Sequence, residues 1–369
     1  TGMSTLQVAL AIAGGVVVAG VVAHSAWTSR KSRPRQAEPV IEQQEPREPG
    51  LTARDTPVGQ SRFSDEQMAQ REAFGGDSNL STDTFEVAGM VTAPDKRHAL
   101  DALIDVIAPI EIDAPTSGDA ALAAMPTTRR VGTKHFTIQG LNAESGEWEA
   151  LRAGQRYSAF QAGVQLANRM GALNEIEFSE FVMKTRAFAD ALDAEPEFPE
   201  MLEEVARARE LDHFAGAHDA QLSFTLKALD LPWSPGYVQQ NAARLGFVPG
   251  VIPGRMVIPA PVVGLPPILD LSFDSQAALA DDPSLSAIRQ LTLTLDVPQV
   301  DRQEEPFARM CFVATELARI MDGQVTDDHG QPLSQAAIQS IQQDLNALYD
   351  TLDARDLSAG SVQARRLFS

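Results

Sequence analysis

One stretch near the start constrains the whole chain. From Leu6 to Trp27 the sequence is apolar except for Gln7, His24 and Ser25, and residues 8–23 form an unbroken run of small and aliphatic side chains. A helix of about 22 residues spans about 33 Å, enough to cross a hydrocarbon core of about 30 Å. Arg30, Lys31, Arg33 and Arg35 follow at once, and no acid occurs before residue 36. The first 35 residues therefore carry +4 and the remainder −24 of a net charge of −20. This pattern predicts a transmembrane helix over 6–28, with Leu6, Val8, Leu10, Val16 and Val21 in the hydrocarbon and Trp27 at its interface.

The positive-inside rule makes Arg30, Lys31, Arg33 and Arg35 the cytoplasmic flank, so residues 1–5 are a short external terminus and the bulk of the chain is cytoplasmic. A cleaved signal peptide competes, because residues 23–26 are small. Against it, no positive charge precedes the apolar run, and the basic cluster after it opposes export. Ala11, Gly15, Ala19 and Ala23 recur every four residues, a ridge through which two such helices self-associate, although a run so rich in Ala, Gly and Val yields that spacing by composition too.

Acidity limits the partners. A surface of this charge repels the phosphate backbone, which argues against nucleic acid. The single cysteine, Cys311, excludes an internal disulfide and every multi-cysteine metal site. None of the six histidines shows metal-ligand spacing.

Residues 29–95 continue from the basic stop into a segment rich in Pro, Glu, Gln and Ser, with few large apolar side chains, which reads as a flexible tether. Folded sequence resumes at 96. Over 96–220 the strand candidates are 102–113, 134–142 and 157–167, the last with Phe160, Ala162, Val164 and Leu166 alternating. Helical spacing follows at 175–192 and 199–214. The second folded segment, 221–355, opens on the alternating QLSFTLKALD. Ser234 and Pro235 then start a helix that Gly246 closes.

Strands are expected at 255–259, 268–273 and 290–297, the last with Leu291, Leu293 and Leu295 on one face and Thr292, Thr294 and Asp296 on the other. Residues 306–322 carry Phe307, Met310, Ala314, Leu317 and Met321 at helical spacing and stop at Gly323; Ser334 caps a last helix. Residues 356–369 are a C-terminal tail. The fold class is α+β: an antiparallel sheet with helices on one face and split βαβ character, preceded by a second α+β segment. Residues 163–194 and 292–323 run alike, so the two segments read as related halves or as a chance recurrence of strand–helix units.

Chemistry is sparse. There is no Walker loop, no GxGxxG after a strand and no Gly-x-Ser-x-Gly elbow. Cys311 lies in the apolar stripe of a helix, Asp327 to Gly330 reads as a turn, and His213 and His218 fall on different helix faces. No catalytic, cofactor-binding or metal-binding residue is assigned, and the expectation is a binding protein rather than an enzyme.

The order of anchor, basic stop, tether and terminal α+β segment resembles the ZipA family. Within it QLSFTLKALDLPWSPGYVQQNAARLGFVPGVIPGRMVIP resembles the family's first strand, first helix and second strand. PPILDLSFDSQ resembles its third strand, LTLTLDVPQV its fourth, and PFARMCFVATELARIMDGQVTDDHGQPLSQAAIQSIQQDLNALY its long helix, Asp-Asp turn and last helix. Residues 96–220 have no counterpart in the best-known members. The resemblance implies a six-stranded antiparallel sheet with three helices behind it, whose open face takes the C-terminal tail of FtsZ at the bacterial inner membrane, at midcell. It implies no cofactor, and names FtsZ and membrane lipid as partners.

The matching contact positions are Met256, Ile258, Ser272, Phe273, Asp274, Gln276, Thr292 and Thr294, several of them polar. Asp270 and Asp274 are placed to pair with basic residues of the tail. The extra segment offers a second place for a groove, lined by Phe136, Ile138, Phe160 and Val164. The rival reading is an unrelated inner-membrane enzyme or envelope scaffold with a groove between the two folded segments, using groups such as His135, His213 or Asp327.

Overall fold

A computed structural model of the protein describes residues 34–37 and 99–369, apart from 281, 283–285 and 328. The expected anchor, its small-residue ridge, Arg30, Lys31 and Arg33, and the tether other than 34–37 lie outside the described residues. Among the described residues, no helix is long and apolar enough to cross a membrane.

Alternating apolar positions build the first half. In chain order it contains Asp105–Glu111 (β1), Thr116–Ser117 (β2), Gly118–Ala124 (α1), Arg130–Val131 (β3), Lys134–Asn142 (β4), Trp148–Ala150 (β5) and Arg156–Gln165 (β6). After these come Ala167–Asn168 (β7), Gly171–Ala172 (β8), Glu175–Asp190 (α2), Glu195–Pro196 (β9) and Met201–His218 (α3). The sheet order is β3-β4-β6-β1-β9, all antiparallel, with β5 on β4 and β2 on β6. Helix α2 starts in a reciprocal cap: Asn174 Oδ1 accepts from Glu177 N at 2.9 Å, and Glu177 Oε2 accepts from Asn174 N at 3.2 Å. Its Phe181 meets Phe136 edge-on at 6.0 Å and Phe188 meets Phe160 at 5.3 Å. Phe136, Ile138, Phe160 and Val164 are therefore the floor of this core, each at most 2% exposed, and line no groove.

The second half comprises Gln221–Ala228 (β10), Pro235–Arg244 (α4), Val248–Pro249 (β11), Arg255–Ile258 (β12), Leu269–Ser272 (β13), Ser275–Leu279 (α5), Gln290–Asp296 (β14), Pro306–Met321 (α6), Gly323–Thr326 (β15) and Gln335–Asp353 (α7). Its six antiparallel strands run β11-β12-β13-β14-β10-β15. Ser234 Oγ accepts from Tyr237 N at 3.2 Å and Ser334 Oγ from Ala337 N at 3.1 Å, the expected N-caps. Helix α6 does not stop on its glycine. Asp322 takes the left-handed turn at φ 55° while Gly323 already pairs with Ala228, where a β-carbon would meet Leu226 at 3.1 Å.

The two halves share one plan. The order β3-β4-β6-β1-β9 repeats as β12-β13-β14-β10-β15, with a helix after the first, the fourth and the last of these five strands in chain order. They differ on the outer face. In the first half, Leu100 sits against Gly163, leaving no room for a β-carbon there.

The last residues are structural rather than a loose tail. Helix Val362–Leu367 (α8) buries Leu367 and Phe368 at the joint between the halves. There Arg366 grips the fully buried Asp105 carboxylate through two bonds, Nη2–Oδ1 at 2.5 Å and Nη1–Oδ2 at 2.8 Å. Gln299 Nε2 donates to the Phe368 carbonyl at 2.7 Å, tying α8 to the second half. Arg169 adds a second tie, bridging Asp219 and Asp296 at 2.6 and 2.7 Å.

Burial pushes the Asp105 carboxyl above its usual range and Arg366 opposes that rise. Arg366→Ala is expected to lower unfolding stability by about 3–5 kcal/mol, because it strands a buried carboxylate. A carboxyl whose folded pKa is raised loses its stabilising contribution as pH rises, so the deficit against wild type should be smaller at pH 5 than at pH 8. Denaturant titration at the two pH values checks this, and adding Asp105→Asn should recover most of the loss.

Candidate functional site

Register fixes which side chains of the second sheet face outward. Leu293 pairs with Phe224 on one side and Leu271 on the other, and Leu271 pairs with Met256. This row lies under α6, whose Phe307 meets Phe224 at 6.2 Å. The alternate rows face away: Arg255, Ser272, Thr292 and Thr225 form one, and Val257, Asp270, Thr294 and Ser223 the next.

Of the positions expected on the open face, Ser272, Thr292 and Thr294 lie there. Met256 and Ile258 do not; they are 2% and 7% exposed and point into the core. A strand's two faces differ by one residue, so the outward side chains of β12 are Arg255 and Val257. Phe273 is buried as the strand ends, its N–H donating to Gly254 O at 2.9 Å. Asp274 caps α5, its Oδ1 accepting from Gln276 N at 2.9 Å, so Asp274 and Gln276 belong to a helix start instead of the sheet. Ser272, Phe273, Asp274 and Thr292 nonetheless line one polar hollow of about 370 Å³.

An apolar surface lies one strand further out. The β11–β12 turn and the 259–267 loop stand either side of Val257 and enclose an open groove of about 600 Å³. Val251, Ile252, Val262 and Leu265 form its walls, and Val263 at its lip is almost wholly exposed. An ion pair, Arg255 Nε to Asp270 Oδ1 at 2.8 Å, closes the side toward the polar rows. Asp270 is therefore already held by Arg255. The turn depends on Gly254, whose φ is +78° and whose missing β-carbon leaves the space next to Phe273 O. An apolar floor with one fixed ion pair and a polar margin suits a short extended peptide carrying aliphatic side chains.

Several other candidates carry less. The cleft between the halves, about 480 Å³, is lined by Arg169, Asp212, Asp219, Gln221 and the end of α8. His135 is on β4, His213 is exposed on α3 and Asp327 accepts the N–H groups of His329 and Gln331 in its own turn, so these groups do not converge on that cleft. Cys311 is half-buried on α6, its thiol pushed up to about 11 by desolvation, the opposite of an activated nucleophile.

The second half is thus an antiparallel sheet with an apolar groove on its free face. Residues 280–344, from the end of α5 through β14, α6 and β15 into α7, match the protein family described as ZipA, C-terminal FtsZ-binding domain. This stretch of the second half is thus similar to the FtsZ-binding domain of that family. No curated protein matches the chain.

The two sets of residues should respond differently to substitution. Met256→Ala is expected to cost about 2–5 kcal/mol of stability, as for a buried methionine. Val262→Asp and Thr294→Ala should each stay within about 0.5 kcal/mol, as surface changes do. Thermal and denaturant unfolding of the three variants checks the assignment of faces.

Proposed function

We propose that the chain is a membrane-anchored cell-division adaptor whose second half captures the C-terminal tail of FtsZ and holds FtsZ filaments at the inner membrane. The observation that carries this reading is an apolar groove on the open face of the same sheet to which the segment similar to the FtsZ-binding family, residues 280–344, contributes β14 and β15. Aliphatic side chains of the tail would lie over Val257 between the two loops, with the ion pair and the hydroxyl rows of Ser272, Thr292 and Thr294 along the polar edge.

Binding of this kind is noncovalent and needs no cofactor. Burial of apolar area contributes about 25 cal/mol per Å², most of it offset by ordering the peptide, so single contacts are modest. Many tails along one filament compensate through effective concentration.

The rest of the adaptor rests on sequence. The apolar run 6–28 serves as a single-pass anchor with its N-terminus periplasmic and the bulk cytoplasmic, at midcell, and lipid is its partner. Its small-residue ridge supports pairing of anchors.

Fluorescence anisotropy with a labelled FtsZ C-terminal peptide and the full chain should give saturable binding. Val257→Asp or Val262→Asp should raise Kd about tenfold or more, equivalent to about 1.4 kcal/mol, while Thr294→Ala shifts it less than about twofold. Absence of binding by the full chain, or equal effects of groove and hydroxyl substitutions, would refute the assignment.

A further inference from the structure

Residues 34–37 belong by sequence to the basic flank, yet they are packed on the second half. Pro34 is buried. Arg35 N donates to Pro232 O at 2.7 Å, and Ser234 N donates to Arg35 O at 2.9 Å, so Arg35 adds to Trp233 as a short parallel strand. Trp233 is in turn paired with Ile288 through two backbone bonds of 2.8 Å and is fully buried. The Arg35 guanidinium reaches the C-terminal end of α6, donating to Asp322 Oδ2 at 2.8 Å and to Met321 O at 3.3 Å. The same Met321 carbonyl accepts from Trp233 Nε1 at 2.8 Å.

A helix C-terminus beside a carboxylate favours a cation, and a backbone edge beside it favours an extended chain. Asp322 leads into β15, at the opposite edge of the sheet from β11 and β12, which carry the groove.

We propose that the corner formed by Trp233, Ser234 and Asp322 is a docking site for the chain's own residues 34–37, and that docking there sets the reach of the FtsZ-binding half from the membrane. This rests on the reading of 6–28 as the anchor. With the strap docked, residues 29–34 alone connect anchor to domain, at most about 21 Å of chain. With it released, about seventy residues precede the fold, and as a random coil they would have a root-mean-square reach of about 45 Å. The chain beyond residue 35 carries −24 and is repelled by an anionic leaflet, so a docked strap holds close what charge alone would let drift away.

The strap is small and its ion pair half-exposed, which makes it displaceable. The short state presses the groove-bearing half to the membrane, and the long state lets it search for filaments.

The test uses the full chain with Cys311→Ser, Ala37→Cys and Gly236→Cys. The Ala37 β-carbon lies 3.7 Å from where a β-carbon on Gly236 would stand, within the disulfide range of about 3.5–4.5 Å. Mild oxidation should join the two cysteines rapidly. Arg35→Glu, or Asp322→Asn, which keeps the left-handed turn, should slow joining by about 1.5- to 5-fold, the factor a part-exposed ion pair supplies.

Reconstituted in bilayers, the oxidised chain should form a protein layer against the surface by neutron reflectometry, and the Arg35→Glu chain a thicker and more distant one. No disulfide, or joining insensitive to both substitutions, overturns the docking site. Equal layer heights overturn its control of reach. A chain that never associates with bilayers overturns the anchor reading and the reach claim together, while the disulfide rate still decides the docking site on its own.

Discussion

The second half is organised by burial on one side of one sheet. Phe224, Leu226, Leu271, Leu291, Leu293 and Leu295 form a continuous apolar layer beneath α6, and every one of them is at most 3% exposed. Because side chains alternate along a strand, committing this set to the core commits Ser223, Thr225, Ser272, Thr292 and Thr294 to the other face. Among the described residues of this half, no helix covers that face. The surface available for recognition follows from the packing, and its apolar part lies where strand polarity lapses, at Val257 and the two loops beside it.

The first half shows what the same strand order becomes when that face is closed. Leu100 fills the space that Gly163 leaves, and α8 lies over the end where Asp105 and Gln165 pair, with Gln165 Nε2 donating to Arg366 O at 2.6 Å. One plan is thus used once with a closed outer face and once with an open one. The charged bonds at the joint, Arg366 to Asp105 and Arg169 to Asp219 and Asp296, fasten the closed half to the open one.

Much of this was legible in the amino-acid sequence because local chemistry and tertiary structure agree. The strict alternation of β14, the Ser234–Pro235 and Ser334 helix starts and the apolar stripe of α6 all appear where the pattern puts them. The faces of β12 were not legible. Met256, Val257 and Ile258 are all apolar, so alternation could not say which of them pointed inward, and the outward one, Val257, is apolar because the groove needs it. An apolar residue on the wet side of an otherwise alternating sheet was the available signal.

The α8 clasp and the Arg35 strap depend on partners 261 and 287 positions away, Asp105 and Asp322, and no local pattern announces such pairs. Asp274 and Gln276 were misplaced for a related reason, since an aspartate that ends a strand and one that caps a helix look alike until the next turn is formed.

The proposed reading of FtsZ by the apolar groove on the open face of the second sheet is open to methyl NMR of the full chain, with resonances of Val251, Val257, Val262 and Leu265 followed as FtsZ tail peptide is added. Saturable shifts concentrated on these four methyl sets, with the first half's Ile138 and Val164 unmoved, are the predicted result. Shifts confined to the first half or to the joint, or a silent groove at saturating peptide, would contradict it.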